Sequence, residues 1–287
     1  MTTFNTKALL AVGTIATLTF ITTITAQQPR AVDAKVLTTA GTAKDAMPGT
    51  WLTYGLSQTE QRYSQLKQID ETNVGKLGLA WSAPIAAAGG RGGTEGTPLM
   101  WNNTIYQSMD NSIVYALDAR TGEQKWMYAA TLDPLVGQQH ICCGTHNRGL
   151  ALSDGKIFLA ANDDHLIALD AFTGKEVWNT KVAEISEYYS LTIAPRIAGD
   201  KVILGVAGGE YFIRGFFAAY NLKDGSLAWK FNTVPPAPGQ PMEDKDQEKA
   251  SKTWVGDWAK YGGGASVWDG LVYDPDTNLV FAGTGNP

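Results

Sequence analysis

Three tryptophans close three copies of one pattern, and that pattern limits what the chain can fold into. Residues 115–126 read YALDARTGEQKW, 167–178 read IALDAFTGKEVW and 218–229 read AAYNLKDGSLAW. The closing residues Trp126, Trp178 and Trp229 stand 52 and 51 residues apart (178 − 126 and 229 − 178). Each copy is an alternating apolar run, a Thr-Gly or Asp-Gly turn, and a second run ending in Trp. A Gly-containing turn between two β-rich runs predicts a hairpin, with Gly supplying the positive φ. Further short runs with their own turns precede each copy: GTPLMWNNTIYQS, GLALSDGKIFLAA and APRIAGDKVILGVAG. Roughly four strands per period of about 50 residues predict the blades of a β-propeller. A degenerate copy ends at Trp81 in VGKLGLAW, 45 residues before Trp126 (126 − 81). The recurrent Trp is expected to pack between blades.

The fold class is therefore all-β: a propeller of Trp-closed four-stranded blades, with four to five units present. A propeller closes by pairing its last blade with its first. The chain ends at VFAGTGNP, inside a strand-to-loop pattern, so the ring is expected to be incomplete and the chain to be the N-terminal part of something longer.

The N-terminus has a different character. Lys7 is followed by an uncharged, apolar and Thr-rich run ending in TITAQQ. Residues 1–26 read as a secretory signal peptide cleaved after Ala26, although Ile24 is large for its place before such a site. The alternative is an uncleaved anchor over residues 8–26. Residues 27–50 are polar and patternless, and are expected to be a linker ahead of the propeller at 51–287. The net charge is −5 with no Lys/Arg run, which predicts no nucleic-acid partner.

Export bears on the cysteines. The chain has two, Cys142 and Cys143, adjacent in HICCGTHNRG. Neighbouring Cα atoms lie about 3.8 Å apart across a trans peptide, closer than the roughly 4.4–6.8 Å usual for a disulfide. Two readings stand: a tight ring between neighbours, favoured in an oxidising compartment, or two reduced, buried thiols. The three histidines, His140, His146 and His165, show no metal-ligand spacing. No CxxCH haem site, GxSxG, P-loop or Rossmann fingerprint is present in context, and GGRGG at 89–93 reads as a loop.

From these motifs onward, residues 51–287 resemble the quinoprotein alcohol dehydrogenases. These are periplasmic enzymes with an eight-bladed propeller that use pyrroloquinoline quinone (PQQ) and a metal ion. The resemblance implies roles residue by residue. A Cys142–Cys143 ring would lie flat against one quinone face. Trp268, in GGASVWDGLVYDP, would stack on the other. Arg148 would pair with a cofactor carboxylate. Glu95 in GGTEGTPL and Thr192 in YSLTIAP would hydrogen-bond its rim, with the backbone at Gly208 and Gly209 close by. Ala207 stands where the family often has a polar residue. Glu210 in GVAGGEYFIRG and Asn286 in FAGTGNP would ligate Ca²⁺ or a lanthanide. Each has a plainer alternative: a surface ion pair for Arg148, packing for Trp268, pairing with Arg214 for Glu210, and a turn for Asn286.

The implied reaction is oxidation of a small alcohol, with electrons passing to a cytochrome c or a membrane quinone-linked acceptor. The family's catalytic aspartate falls beyond Pro287, and nothing in the motif supports Asp269 in its place. The competing function is a non-catalytic propeller of the same repeats, acting as a periplasmic interaction scaffold.

Overall fold

The computed structural model describes residues 29–85, 94–138 and 141–285. The signal-peptide segment 1–26 and Asn286 lie outside the described residues. All elements below belong to one compact unit, residues 31–287. No described helix is long and apolar enough to cross a membrane.

A short helix α1 (Ala34–Thr39) comes first, capped by Asp33, whose carboxylate accepts from the Val36 amide. Strand β1 (Thr94–Thr97) follows. The next four strands are β2 (Leu99–Trp101), β3 (Thr104–Ser108), β4 (Ile113–Asp118) and β5 (Gln124–Ala129), which form a four-stranded antiparallel meander. After β6 (Asn147–Gly149), strands β7 (Ala151–Ser153), β8 (Lys156–Ala161), β9 (His165–Asp170) and β10 (Glu176–Lys181) form a second. A third is built from β11 (Arg196–Ala198), β12 (Lys201–Gly205), β13 (Phe216–Asn221) and β14 (Leu227–Asn232). Helix α2 (Lys245–Ser251) and the hairpin of β15 (Leu271–Asp274) with β16 (Leu279–Ala282) complete the described chain.

The meander is the blade that the repeat predicts. Three blades are complete among the described residues, and no strand pairing joins the last hairpin to the first blade. The middle strands are nearly continuous apolar runs because sheets cover both their faces. In β8 and β9, Ile157, Phe158, Leu159 and Leu166 are fully buried. The fourth strands are largely exposed apart from the side chain that docks on the next blade.

That docking repeats three times. The indole Nε1 of Trp81 donates to Ala119 O at 3.2 Å, that of Trp126 to Ala171 O at 3.0 Å, and that of Trp178 to Leu222 O at 3.2 Å. Each acceptor lies in the turn of the following unit. In that turn sits Gly122, Gly174 or Gly225, at φ +75°, +70° and +72°. A Cβ on these glycines would lie 2.4, 2.7 and 2.6 Å from the Cε3 atom of the docked indole. Glycine is thus required twice over, for the left-handed turn and for the ring pressed against it. Each Trp-bearing strand carries a β-bulge just before its tryptophan: Leu117 pairs with Gln124 and Ala116 with Trp126, leaving Lys125 extra. Equivalent register shifts precede Trp178 and Trp229. The added twist of a bulge suits a side chain that must reach a neighbouring sheet. Trp81 docks in the same way without lying in a strand.

Residues 27–50 depart from the expected linker. Over the described part, Val32, Val36, Leu37 and Ala40 join the main core. The Asp154 amide and the Ser153 hydroxyl both donate to Val32 O, fastening the segment to the β7–β8 turn. Six helical residues are too few for a periodic signal to stand out from polar surroundings.

One buried acid stands apart. Asp164, in the β8–β9 turn at φ +67°, is fully buried, and neither carboxylate oxygen has a hydrogen-bond partner among the described residues. Burial, then the charges of Asp163 and Glu184, push its pKa up to about 8, against a smaller opposing pull from Lys181.

Two outcomes follow. Gly155 and Gly174 share φ +70°, but a Cβ on Gly155 meets open space. Gly174→Ala should therefore destabilise the chain more than Gly155→Ala, by about 1–3 kcal/mol, in urea unfolding. For Asp164 the folded pKa lies above the ordinary 3.8, so the folded state holds the extra proton between about pH 4 and pH 8. Its contribution to stability is complete below that window and lost as pH rises through it. Asp164→Asn should remove that part of the slope of melting temperature against pH from 4 to 8.

Candidate active site at the inner edge of the blades

Each blade is entered by a short segment leading into its first, innermost strand. Glu95 precedes β2, Arg148 precedes β7, Thr192 precedes β11 and Trp268 precedes β15. Blade geometry alone therefore brings together residues far apart in sequence. Parallel pairing of β1 with β6, with Thr94 opposite Asn147 and Thr97 opposite Gly149, sets Glu95 beside Arg148. The Arg148 amide donates to Thr192 O at 3.1 Å, joining the second and third entry segments. Asn162, fully buried just after β8, donates from Nδ2 to His146 O and to Leu191 O.

The segments surround a cavity of about 210 Å³, the volume of about seven waters. One part of its wall is Ile141 with the Cys142–Cys143 pair, which forms a disulfide with Cα atoms 3.8 Å apart. The reduced-thiol alternative is thereby set aside. Trp268 is a second part of the wall, and it is 40% exposed where the docking Trp126 is 9% exposed. Trp229, another repeat tryptophan, is 38% exposed, so exposure alone does not set Trp268 apart from a packing tryptophan, but Trp268 lines the cavity. Ala207, Gly208 and Glu210 follow the end of β12, and Ser190 and Thr192 fill the interval towards Arg148. Gly208 adopts φ +115°, and a Cβ there would fall 2.2 Å from Tyr188 O.

Arg148 is the centre of the polar contacts. Its Nη1 donates to Thr192 Oγ1 at 2.7 Å and to Thr192 O at 3.2 Å. Its Nη2 lies 3.3 Å from Glu95 Oε2, and its Cζ lies 4.8 Å from the Trp268 ring centroid. A planar cation over an indole face is an attractive contact. Glu95 also reaches His146 Nδ1 at 3.5 Å. Its carboxylate thus spans Arg148 and His146, whereas the sequence reading directed it at the cofactor rim.

The remaining expected residues divide. Glu210 lines the cavity, and Arg214, its alternative partner, instead donates to Glu243 at 2.6 Å and to Val234 O at 2.8 Å. Gly209 opens the short turn Gly209–Tyr211 beside the cavity, and the lining residue is its neighbour Gly208. Asn286 falls outside the described residues. Ser190 and His146 also line the cavity; His146 flanks the cysteine motif and was expected near the cofactor, while no motif singled out Ser190. Their common signal is position: both lie in the entry segments that carry Arg148 and Thr192.

The donor set suits a flat, anionic, polar-edged molecule. It offers an aromatic face, a disulfide, one guanidinium, hydroxyls and a backbone glycine. For a metal ion it offers Glu210; no group of three or more His, Cys, Asp or Glu residues able to hold a metal occurs among the described residues.

Comparison with known proteins agrees with this geometry. The family of the PQQ-type glucose/ethanol/alcohol dehydrogenase β-propeller domain matches residues 51–287. The chain belongs to this family.

It is 44% identical over 248 residues to the quinohemoprotein alcohol dehydrogenase ADH IIB of Pseudomonas putida, covering 85% of this chain and 35% of that protein. It is 44% identical over 251 residues to the dehydrogenase subunit of the alcohol dehydrogenase (quinone) of Gluconobacter oxydans, covering 83% of this chain and 33% of the relative. The solved structure of quinohemoprotein alcohol dehydrogenase ADHIIG from Pseudomonas putida HK5 superposes with a TM-score of 0.84 at 40% identity, over 91% of this chain and 37% of that one. The chain spans about a third of the length of the curated relatives it matches. The propeller assignment stands on these matches together with the blades described above.

The disulfide has a direct test. Alkylation of the denatured chain without reductant should label neither cysteine, and after reduction both, read by intact mass.

Proposed function

We propose that this chain forms the cofactor-holding part of a PQQ-dependent alcohol dehydrogenase. The observation that carries the reading is the convergence of the Cys142–Cys143 disulfide, Trp268, Arg148, Thr192 and Glu210 on one cavity. The printed names of the relatives, quinohemoprotein and quinone alcohol dehydrogenases, support it.

In this reading Trp268 and the disulfide hold the two faces of PQQ and keep it from tilting. Arg148 pairs with a carboxylate at its edge, Thr192 donates a hydroxyl contact, and the backbone at Gly208 and Gly209 lies close enough to complete the rim. Glu95 keeps the Arg148 guanidinium oriented. Glu210, with Asn286, supplies hard oxygen ligands for Ca²⁺ or a lanthanide. When bound, the quinone supplies the two-electron acceptor that the side chains lack. Residues of this chain bind, orient and exclude water. None is assigned the proton of the alcohol, and Asp269 is not a candidate because its carboxylate faces Arg196 at 4.0 Å.

The substrate class is a small alcohol, and the electrons pass to a cytochrome c or a membrane quinone-linked acceptor. The "quinohemoprotein" and "dehydrogenase subunit" names of relatives support such a partner. The signal-like residues 1–26 support a periplasmic location. The interaction-scaffold reading leaves a cavity with this donor set without a role.

The test is to express the complete reading frame, reconstitute it with PQQ plus Ca²⁺ or a lanthanide, and assay alcohol-dependent dye reduction. Dye reduction should need both additions, and Arg148→Ala should weaken PQQ retention at least about tenfold. Protein that shows neither quinone absorbance nor dye reduction after reconstitution overturns the proposal.

A further inference from the structure

Arg148 on Trp268 is one of three arginine–aromatic contacts among the described residues. The second is Arg196 on Tyr54, with Cζ 4.0 Å from the ring centroid. Arg196 is the first residue of β11, is buried, and lines no part of the cavity. Its Nε meets Glu60 Oε1 at 2.9 Å, its Nη1 donates to Ala194 O at 2.5 Å, and its Nη2 lies 4.0 Å from Asp269 Oδ1. Asp269 is the residue after Trp268. On the other side, the Tyr54 ring packs at Gly149, the residue after Arg148: a Cβ on Gly149 would fall 3.3 Å from Tyr54 Cδ2. The buried stack therefore contacts the neighbours of both members of the cavity stack.

The segment that delivers Glu60 is held under strain. Leu56, Glu60 and Arg62 all have positive φ, at +69°, +57° and +54°. Glu60 folds back so closely that a Cβ on Gly55 would lie 2.3 Å from its Oε2. Arg62 also lies over Tyr54, at 4.7 Å, and pairs with Glu60 at 3.4 Å. Gln58 ties the segment to β11 through Ile197 O at 3.1 Å. Bulky residues persist in left-handed conformations only where their surroundings over-determine them. Here the surroundings are a buried arginine that requires a counter-charge.

We propose that Arg196, held by Glu60 and stacked on Tyr54, is a positioning residue that fixes Trp268 through Asp269 and so sets how firmly the cavity grips a flat ligand. The inference rests on the PQQ reading only for the identity of that ligand. Trp268 has backbone support of its own, from the Ser266–Gly285 bridge and from Val267 against Gly205. Arg196 adds a charge 4.0 Å from Asp269 Oδ1, a buried oxygen with no hydrogen-bond partner among the described residues, from a blade that Trp268 does not belong to.

The experiment uses the complete reading frame with two readouts. Hydrogen exchange on protein without added PQQ reports the amides of residues 266–270. Equilibrium dialysis with PQQ and Ca²⁺ reports affinity. Arg196→Met should speed exchange at 266–270 about tenfold while β8 stays unchanged, and should weaken PQQ binding about tenfold. Arg196→Lys, which keeps the charge without the planar stack, should fall between. Unchanged exchange and unchanged affinity overturn the proposal, as does exchange that rises uniformly across the second and third blades. If Arg196→Met does not fold, Asp269→Asn alone is held to the same two readouts. Failure of the wild-type protein to bind PQQ overturns the function proposed above, while exchange at 266–270 still decides the role of Arg196.

Discussion

The contact on which the rest of the structure depends is an indole ring laid on a glycine. The tryptophans that end the first two blades, and Trp81 ahead of them, each cross to the next sheet, donate to a turn carbonyl there and cover the turn glycine. The contact buries a large apolar surface and satisfies its one polar atom at once. It also fixes what the turn must be. A side chain at Gly174 would have to displace Trp126, and the left-handed φ already favours glycine. Repetition of this contact explains why the same two residue types return every fifty or so positions while the residues between them vary.

The site inherits its order from that stacking. No blade contains the cavity. Its walls come from the segments that lead into the second and third blades and the last hairpin, and from the connection between β12 and β13. Strand pairing holds Glu95 to Arg148, backbone bonding holds Arg148 to Thr192, and the buried amide of Asn162 ties two of the segments together. Polar groups at the cavity are thus bonded to one another before any ligand is considered. Such preorganisation favours a rigid, planar partner over a flexible one.

The blade repeat, the turn positions and the docking tryptophans were legible in the sequence because glycine and tryptophan act there through local, repeated geometry, whereas three complete blades stand among the described residues where four to five units were expected. The cysteine pair, Arg148, Trp268 and Glu210 were legible through motif resemblance, and the cavity brings them together. Glu95 was picked out by motif, but it is not among the residues that line the cavity and its contacts were not legible, because its partner depends on a parallel pairing between strands some fifty residues apart. The core packing of Val32, Val36, Leu37 and Ala40 was not legible, because a six-residue helix hides its apolar stripe among polar neighbours. The cluster of Tyr54, Glu60, Arg196 and Asp269 left no trace at all: its members share no motif, and only the tertiary fold makes them neighbours.

Trp126 and Trp178 sit on fourth strands, while most of the cavity residues flank first strands. Four strands spaced about 4.8 Å apart separate the two edges of a blade by roughly 14 Å. A blade that pivots by about 4° at its outer edge therefore carries its inner edge sideways by about 1 Å. The rim glycines act as stops on that angle. The glycine beneath each docked indole thus bears on the aim of side chains that it never touches.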